Sequence, residues 1–186
     1  MIEKKLFTDR LVLRRSEAAL SELVTEYFIR NAAFLETWDP VHDSAFYTEA
    51  YQRKALEKDL EIFLQGQGLR YWLMTENETE IIGTFSFNNI VMGPFCSCFL
   101  GYRLDEKRQG QGLMTEALGK GIELAFGPLG LHRIEANIIP RNKASLRVAE
   151  KLHFRNEGLS PRYLKINGRW EDHIHMILLN EEMEKR

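Results

Sequence analysis

The feature that most constrains the fold is the junction at Gly110 and Gly112, which joins an apolar run ending at Leu104 to an amphipathic stretch over residues 113–126. The first run has the composition of a strand, and the second carries apolar residues at helical spacing. Glycine adopts backbone conformations that other residues avoid, so the chain can turn there from strand to helix. A strand, a loop and a helix in this order predict a sheet that is covered by helices.

Other segments alternate apolar and polar residues in the manner of strands, with turn residues between them. The predicted strands cover residues 11–15, 70–75, 80–87, 95–104, 133–139, 154–166 and 170–179. The predicted helices run from an N-cap at Ser16 to about Ile29, through a second stretch that ends at Leu64, and over residues 113–126 and 142–152. Turns at residues 76–79 and at Asn167-Gly168 predict two hairpins. The expected fold class is α/β (α+β), with a mixed, mostly antiparallel central sheet and helices on both faces.

Length and composition favour one globular domain over residues 1–186. The 44% hydrophobic content is sufficient for a sizeable core at this length. The net charge of -2 provides no excess of Lys and Arg, so the sequence predicts no direct binding to nucleic acid or to a membrane surface. The N-terminus lacks the apolar run of a signal peptide, and no stretch approaches the ~20 apolar residues of a membrane span. We therefore expect a cytoplasmic protein, either a monomer or a homodimer.

Two pairs of residues whose side chains can bind metals or undergo redox reactions are each two positions apart. Cys96 and Cys98 lie in an apolar run that reads as a strand, where both side chains point to one face without the geometry of a disulfide. We expect them to be buried thiols. His173 and His175 repeat this spacing, but no further Cys, His or carboxylate accompanies them with zinc-site spacing. The sequence therefore predicts no metal site.

The glycine junction is also a candidate phosphate site. A turn that opens a helix directs free backbone N–H groups and the positive helix end at one point, and Lys107 and Arg108 add charge there. A Walker loop is excluded because Leu113 follows Gly112, and a dinucleotide fingerprint is excluded because position 115 is Thr. By itself, the Gly-x-Gly pattern also fits an ordinary left-handed turn. The candidate residues are Lys107, Arg108, Gln109, Gly110, Gln111, Gly112, Leu113, Met114 and Thr115.

The run from Gly101 to Leu118 resembles the acetyl-CoA pyrophosphate loop of the GNAT superfamily, which is written Gln/Arg-x-x-Gly-x-Gly/Ala. Lys107 occupies the first position of that motif and keeps its positive charge. The resemblance implies a GNAT fold, acetyl-CoA as cosubstrate without a metal, and direct attack by an amine. It also implies that backbone N–H groups near the end of the strand polarise the thioester. The further cofactor-binding candidates are Tyr102, Arg103, Leu104 and Asn137.

A second motif supports the same family. Asn142-x-x-Ser145 opens a predicted helix that ends near Phe154, and it resembles the superfamily's Asn-x-x-Ser motif, with His153 in place of the usual glycine. The resemblance implies that Asn142 binds the pantetheine arm. It also implies that Ser145 is catalytic, close to the thioester sulfur. Many relatives have a tyrosine where this chain has Ala149. The alternative is that Asn142 and Ser145 only cap the helix.

Further matches narrow the resemblance to RimJ-type ribosomal-protein alanine N-acetyltransferases. They occur over residues 34–43, 81–83, 101–102, 132–134 and 163–173, and so span nearly the whole chain. This likeness implies that the acceptor is the α-amine of a protein N-terminus. The implied partner is a small-subunit ribosomal protein with a small first residue.

The acceptor wall is expected in the segment from Phe34 to Tyr51, which mixes aromatic and acidic residues. Phe34, Trp38 and Asp39 are the candidates, because carboxylates there would attract a basic N-terminal tail. The alternative is a packed helix with a solvated charged face. Asp172 either contacts the amine or orders the last hairpin.

Two other functions fit the same motifs. An enzyme of the same fold that acetylates an amino acid, a polyamine or an antibiotic would differ mainly in the acceptor wall. A non-catalytic CoA-binding module would explain why Ala149 stands at the tyrosine position.

Overall fold

The computed structural model describes residues 2–185 and arranges them around one eight-stranded sheet. Its strands, in chain order, are β1 Lys5–Phe7, β2 Val12–Arg15, β3 Leu69–Met74, β4 Ile81–Val91, β5 Ser97–Leu104, β6 Arg133–Ile138, β7 Arg155–Ile166 and β8 Arg169–Leu179. The order across the sheet is β1-β2-β3-β4-β5-β6-β8-β7. Only β5 and β6 are parallel neighbours, so the predicted mixed, mostly antiparallel sheet is confirmed.

Helices cover both faces of this sheet. They are α1 Ser21–Leu35, α2 Glu49–Leu64, α3 Leu113–Phe126, α4 Lys143–Lys151 and α5 Glu181–Glu184. Alternate residues of β3 separate two cores: Trp72 packs with α1 and α2, whereas Tyr71 packs with α3 and α4. Within residues 2–185, no helix is both long and apolar enough to cross a membrane.

The predicted start of the first helix is wrong. Ser16 is buried ahead of the helix, where its hydroxyl donates to Asp59 at 2.7 Å and accepts from the Trp72 indole at 3.2 Å. The helix begins at Ser21 and also continues past Ile29. A polar residue on its buried face, Asn31, interrupts the apolar period. Its amide donates to the Tyr27 carbonyl one turn earlier and to Asp105, which lies far along the chain.

The prediction that Cys96 and Cys98 lie in one strand, with both side chains on the same face, is also wrong. Cys98 lies buried in β5, but Cys96 precedes the strand and has a positive φ of 41°. The Cys96 thiol donates to the Gly93 carbonyl at 3.0 Å, so the chain is still turning there. Both thiols are free, and burial raises the pKa of Cys98 to about 12.

The two parallel strands separate after a short contact. β5 pairs with β6 only where residues 97–99 meet residues 133–135, whereas the β4 side of β5 stays paired as far as Leu104. The second half of β5 therefore has one edge without a strand partner. This gap opens in the middle of the sheet, between the two helical layers.

A buried carboxylate fixes the end of β5 to α1. Asp105 is 3% exposed and accepts hydrogen bonds from Arg30 Nε at 2.7 Å, Lys107 N at 2.9 Å and Asn31 Nδ2 at 3.2 Å. The Asn31 amide oxygen accepts from Glu106 N at 3.0 Å. Burial alone raises the pKa of Asp105, but these hydrogen bonds outweigh it and hold the pKa below its usual range. The start of the glycine loop is thereby held in place.

We predict that Asp105→Ala destabilises the fold by about 2 kcal/mol, because Arg30 Nε and Lys107 N lose their acceptor, although Arg30 keeps Glu80 and the Ile81 carbonyl. Urea unfolding at neutral pH measures this loss. Since the folded pKa of Asp105 is depressed, its contribution is present above the ordinary aspartate pKa and is lost as the pH falls through the folded value. The difference from wild type should therefore shrink in acid. Asp9→Ala, at an exposed aspartate, is the control, and equal stability of all three proteins would contradict the anchoring role.

Candidate active site

A cavity of about 960 Å³ fills the gap between β5 and β6. Its walls also include the glycine loop, α4, the chain after α1 and part of β7. A cavity of this size is typical of a small-molecule site. The predicted residues that line it are Phe34, Trp38, Asp39, Tyr102, Arg103, Leu104, Gln109, Gly110, Gly112, Leu113, Met114, Thr115, Asn137, Asn142 and Ser145. Four predicted residues lie outside the lining: Lys107, Arg108, Gln111 and Asp172.

The glycine loop has the geometry that a phosphate group requires. Gly110 and Gly112 have φ angles of 73° and 78°, which disfavour any residue with a side chain. No atom comes within 4 Å of a Cβ built at Gly110, so the space beside the loop is open. Residues 113–115 form the first turn of α3, where N–H groups have no acceptor within the helix. These groups and the positive helix end suit an anion.

An outer brace holds the glycine loop against the rest of the chain. Arg10 donates to Glu116 at 2.7 Å and to the Gln111 carbonyl at 3.0 Å, and the Thr8 hydroxyl donates to Glu116 at 2.6 Å. Burial alone raises the pKa of Glu116, but these bonds outweigh it and lower the pKa. Sequence analysis missed the brace because its partners are about a hundred residues apart.

The positive side chains of the cavity differ from the predicted ones. Arg108 pairs with Glu80 at 3.0 Å and Lys107 does not line the cavity, so neither brings its charge to the site. Arg147 and Lys151 of α4 line it instead. They are spaced i, i+4, which places both on one face of the helix. This i, i+4 spacing of basic residues in the predicted helix is the sequence pattern that would have identified Arg147 and Lys151.

The acceptor wall is less acidic than expected. Among residues 2–185, Asp39 is the only carboxylate in the lining, and it forms an ion pair with Arg103. Burial alone lowers the pKa of Arg103, but Asp39 outweighs it and raises the pKa. The other acids of this segment have different roles: Asp43 caps a short helix, and Glu49 pairs with Arg53. The carboxylates therefore serve local structure instead of forming an acidic cleft.

The last hairpin closes the acceptor wall. Asn167, with a φ of 49° in the β7–β8 turn, accepts from Val41 N at 2.6 Å and donates to the carbonyls of Glu36 at 3.0 Å and Asp39 at 3.1 Å. All three partners belong to the segment after α1. A residue that the sequence assigns only to a turn therefore fastens this segment over the cavity.

In the Asn-x-x-Ser segment, Asn142 caps the helix and also has an amide nitrogen without a protein acceptor among residues 2–185. Asn142 Oδ1 accepts from Ser145 N at 3.1 Å, so the capping role expected as the alternative is present. Its amide nitrogen has no acceptor among the described residues. Tyr102 donates its hydroxyl to the Ser145 carbonyl at 2.8 Å, and burial raises the Tyr102 pKa. Ala149 is buried in the core and has no part in the lining.

Polar residues of β6, β7 and β8 form a cluster that the sequence analysis did not assign to the site. His173 lines the cavity and contacts the Glu171 carbonyl through Nδ1 at 3.1 Å. His175 lies between Glu135 at 2.8 Å and Ser160 at 2.6 Å. Residues 2–185 contain no group of three or more potential metal ligands.

Asp172 has a structural contact. Its carboxylate accepts from Arg162 N at 2.8 Å, where β7 is irregular and Arg162 has a positive φ of 54°. It therefore orders the last hairpin, which is the structural one of its two expected roles.

Comparison with known proteins places this arrangement in a family. The chain matches the acetyltransferase (GNAT) domain model over residues 10–155. It is 39% identical over 171 residues to the ribosomal protein uS5-alanine N-acetyltransferase of Escherichia coli (strain K12), with 91% of this chain and 88% of that protein covered.

Two solved structures are similar over almost the whole chain. The ribosomal-protein-S5-alanine acetyltransferase from Vibrio fischeri has a TM-score of 0.92 and 34% identity, and the alignment covers 97% of this chain and 98% of that one. Mycobacterium smegmatis RimJ in complex with CoA-disulfide has a TM-score of 0.87 and 26% identity, with 95% and 88% covered.

We predict that Gly110→Val and Gly112→Val each weaken CoA binding at least about tenfold, because a β-branched residue at these φ angles costs about 1–3 kcal/mol and displaces the N–H groups. Isothermal titration with CoA measures the affinity. Gly130→Val is the matched control, since Gly130 has a φ of 64°, open space around it and no place in the lining. If all three variants lost affinity equally, backbone strain alone would be the cause.

Proposed function

We propose that this chain, which belongs to the GNAT acetyltransferase family, transfers the acetyl group of acetyl-CoA to the α-amine of a protein N-terminus. The acceptor is a ribosomal protein that begins with Ala or Ser. The observation that best supports this proposal is the cavity between β5 and β6. Its lining joins a phosphate-binding loop to a separate wall on the acceptor side. The names of the E. coli and V. fischeri relatives, which specify alanine of uS5 or S5, support the ribosomal acceptor.

Acetyl-CoA is held by main-chain groups and by α4. The N–H groups over residues 109–115 bind the pyrophosphate, as the left-handed glycines and the open space beside Gly110 allow. Arg147 and Lys151 supply positive charge on the same side of the cavity. The free amide nitrogen of Asn142 donates to the pantetheine arm.

The separation of β5 from β6 provides the electrostatic part of catalysis. Beyond Phe99, the β6-facing edge of β5 has no strand partner, so its N–H groups are available to polarise the thioester carbonyl. Such donors stabilise the negative charge that develops on the carbonyl oxygen as the amine attacks. Ser145, which lines the cavity, protonates the leaving thiolate directly or through water.

The charge of the lining revises the expected acceptor preference. Asp39 is already paired with Arg103, and Arg70, which also lines the cavity, is paired with Asp59, so no unpaired carboxylate among the described lining residues draws in a basic tail. Selection for the α-amine follows instead from its protonation. An α-amine has a pKa of about 8 and a lysine about 10.4, so far more α-amine is neutral near pH 7.5.

We predict that a peptide with a free N-terminal Ala is acetylated roughly 100-fold faster than the same peptide with a blocked N-terminus and intact lysines, because of this pKa gap. Mass spectrometry of a competition reaction at pH 7.5 measures the ratio. Peptides that start with Ser or Met and a panel of small amines complete the comparison. Equal modification of both peptides, or faster turnover of a small amine, would contradict the α-amine assignment.

We predict that Asn167→Gly raises the KM for the peptide roughly fivefold, because it removes the bonds that fasten residues 36–41 while glycine keeps the turn. The KM for acetyl-CoA should not change, since the turn lies on the acceptor side. Steady-state kinetics with each substrate varied in turn separates the two effects. Asn89→Gly, at another asparagine with a positive φ of 50° and outside the lining, is the control. An unchanged peptide KM in Asn167→Gly would show that this contact does not shape the acceptor site.

A further inference from the structure

Two hydrogen-bond acceptors on the β6–β8 side of the gap have no protein partner among residues 2–185. Asn137 and His175 are opposite each other in the antiparallel register, and His173 lies two positions before His175 on the same face of β8. Asn137 and His173 line the cavity, whereas His175 does not. One face of these strands thus brings an amide and an imidazole to the acceptor side of the site.

The hydrogen bond of His173 fixes which nitrogen carries the proton. Its Nδ1 contacts the Glu171 carbonyl at 3.1 Å, and a carbonyl can only accept, so Nδ1 is protonated. In the neutral ring, Nε2 then carries a lone pair, and it has no hydrogen-bond partner among residues 2–185. The residue is 3% exposed and lines the cavity.

Asn137 presents a second unpaired acceptor. Its amide nitrogen donates to the Tyr163 hydroxyl at 3.4 Å, but its amide oxygen is buried without a partner among the described residues. This oxygen has almost no accessible surface, so a group bound in the cavity does not reach it. His175 differs, because both of its ring nitrogens are occupied by protein groups.

The chemistry of the free Nε2 selects the ligand. Phosphate and thioester oxygens are themselves acceptors, so they gain nothing from an imidazole lone pair. An amine offers an N–H donor and, unlike the amide groups of the pantetheine arm, gives up a proton in the reaction.

We propose that His173 is the catalytic base that takes the proton from the acceptor amine. This rests on the proposed N-acetyltransferase function. The nitrogen lone pair forms a bond to the thioester carbonyl carbon, the C–S bond breaks, and the sulfur leaves with its electron pair. The amine proton passes to His173 Nε2, and the thiolate takes a proton from Ser145 or solvent. His173 then returns its proton to water.

The surroundings keep His173 neutral near pH 7. Burial lowers its pKa, and the contact with Glu171 opposes this shift without cancelling it. The other charged or titratable groups around it are Asp172 and His175 on its own strand and Tyr163 and Lys165 on β7. The Glu171 carboxylate is itself paired with Arg141 at 2.8 Å.

A pH profile tests the base. With acetyl-CoA saturating, log kcat/KM for the amine should fall with a slope of one below the amine pKa and a slope of two once His173 is protonated as well. We expect His173→Gln to lower kcat/KM on the order of 100-fold, to leave the acetyl-CoA KM unchanged and to reduce the acid slope to one. His175→Gln is the matched control and should keep a slope of two. A His173→Gln enzyme with near-normal kcat/KM, or with a slope of two, would overturn the proposal.

All profiles use an amine that the wild-type enzyme acetylates, whether a peptide or a small amine. If only small amines react, the proposed acceptor fails while the role of His173 is still measured.

Discussion

The structure depends on one departure from regular pairing: β5 and β6 begin as parallel neighbours and separate after three residues. A continuous ladder would have used every N–H group of both strands and filled the centre of the sheet with packed side chains. The separation instead exposes one edge of β5 between two complete cores. The cavity and the edge of β5 without a strand partner both follow from this gap, and the proposed mechanism uses both.

The gap is stable because its borders are fixed by polar contacts on both sides. Asp105 ties the end of β5 to α1, and Arg10 with Glu116 braces the glycine loop from the other face. The loop itself needs two left-handed glycines and cannot gain stability from its own side chains. Its position therefore depends on distant residues, and Asn167 holds the opposite wall in the same way.

The sequence predicted those parts of the fold whose cause is local. The bounds of α3, the left-handed glycines before it and the Asn167-Gly168 turn follow from short-range conformational rules, and the structure confirms them. The burial of Ser16, the late end of α1 and the pairing of Arg108 with Glu80 depend on partners distant in sequence. The sequence therefore predicted the backbone conformation of the glycine loop. It did not predict that the positive side chains on this side of the cavity come from α4.

On the acceptor side, the number of acidic residues in the sequence led to a wrong expectation about the charge of the cavity. The acids of residues 34–51 suggested attraction for a basic tail, yet they serve helix caps and ion pairs, and Asp39 is neutralised by Arg103. What the cavity offers instead is one neutral acceptor, the imidazole of His173. In the proposed mechanism, a neutral acceptor suits an amine that has already lost a proton, because it cannot compensate a full positive charge in a buried site. In this proposal, selection for a weakly basic amine follows from the wall itself, without a carboxylate at the reaction centre.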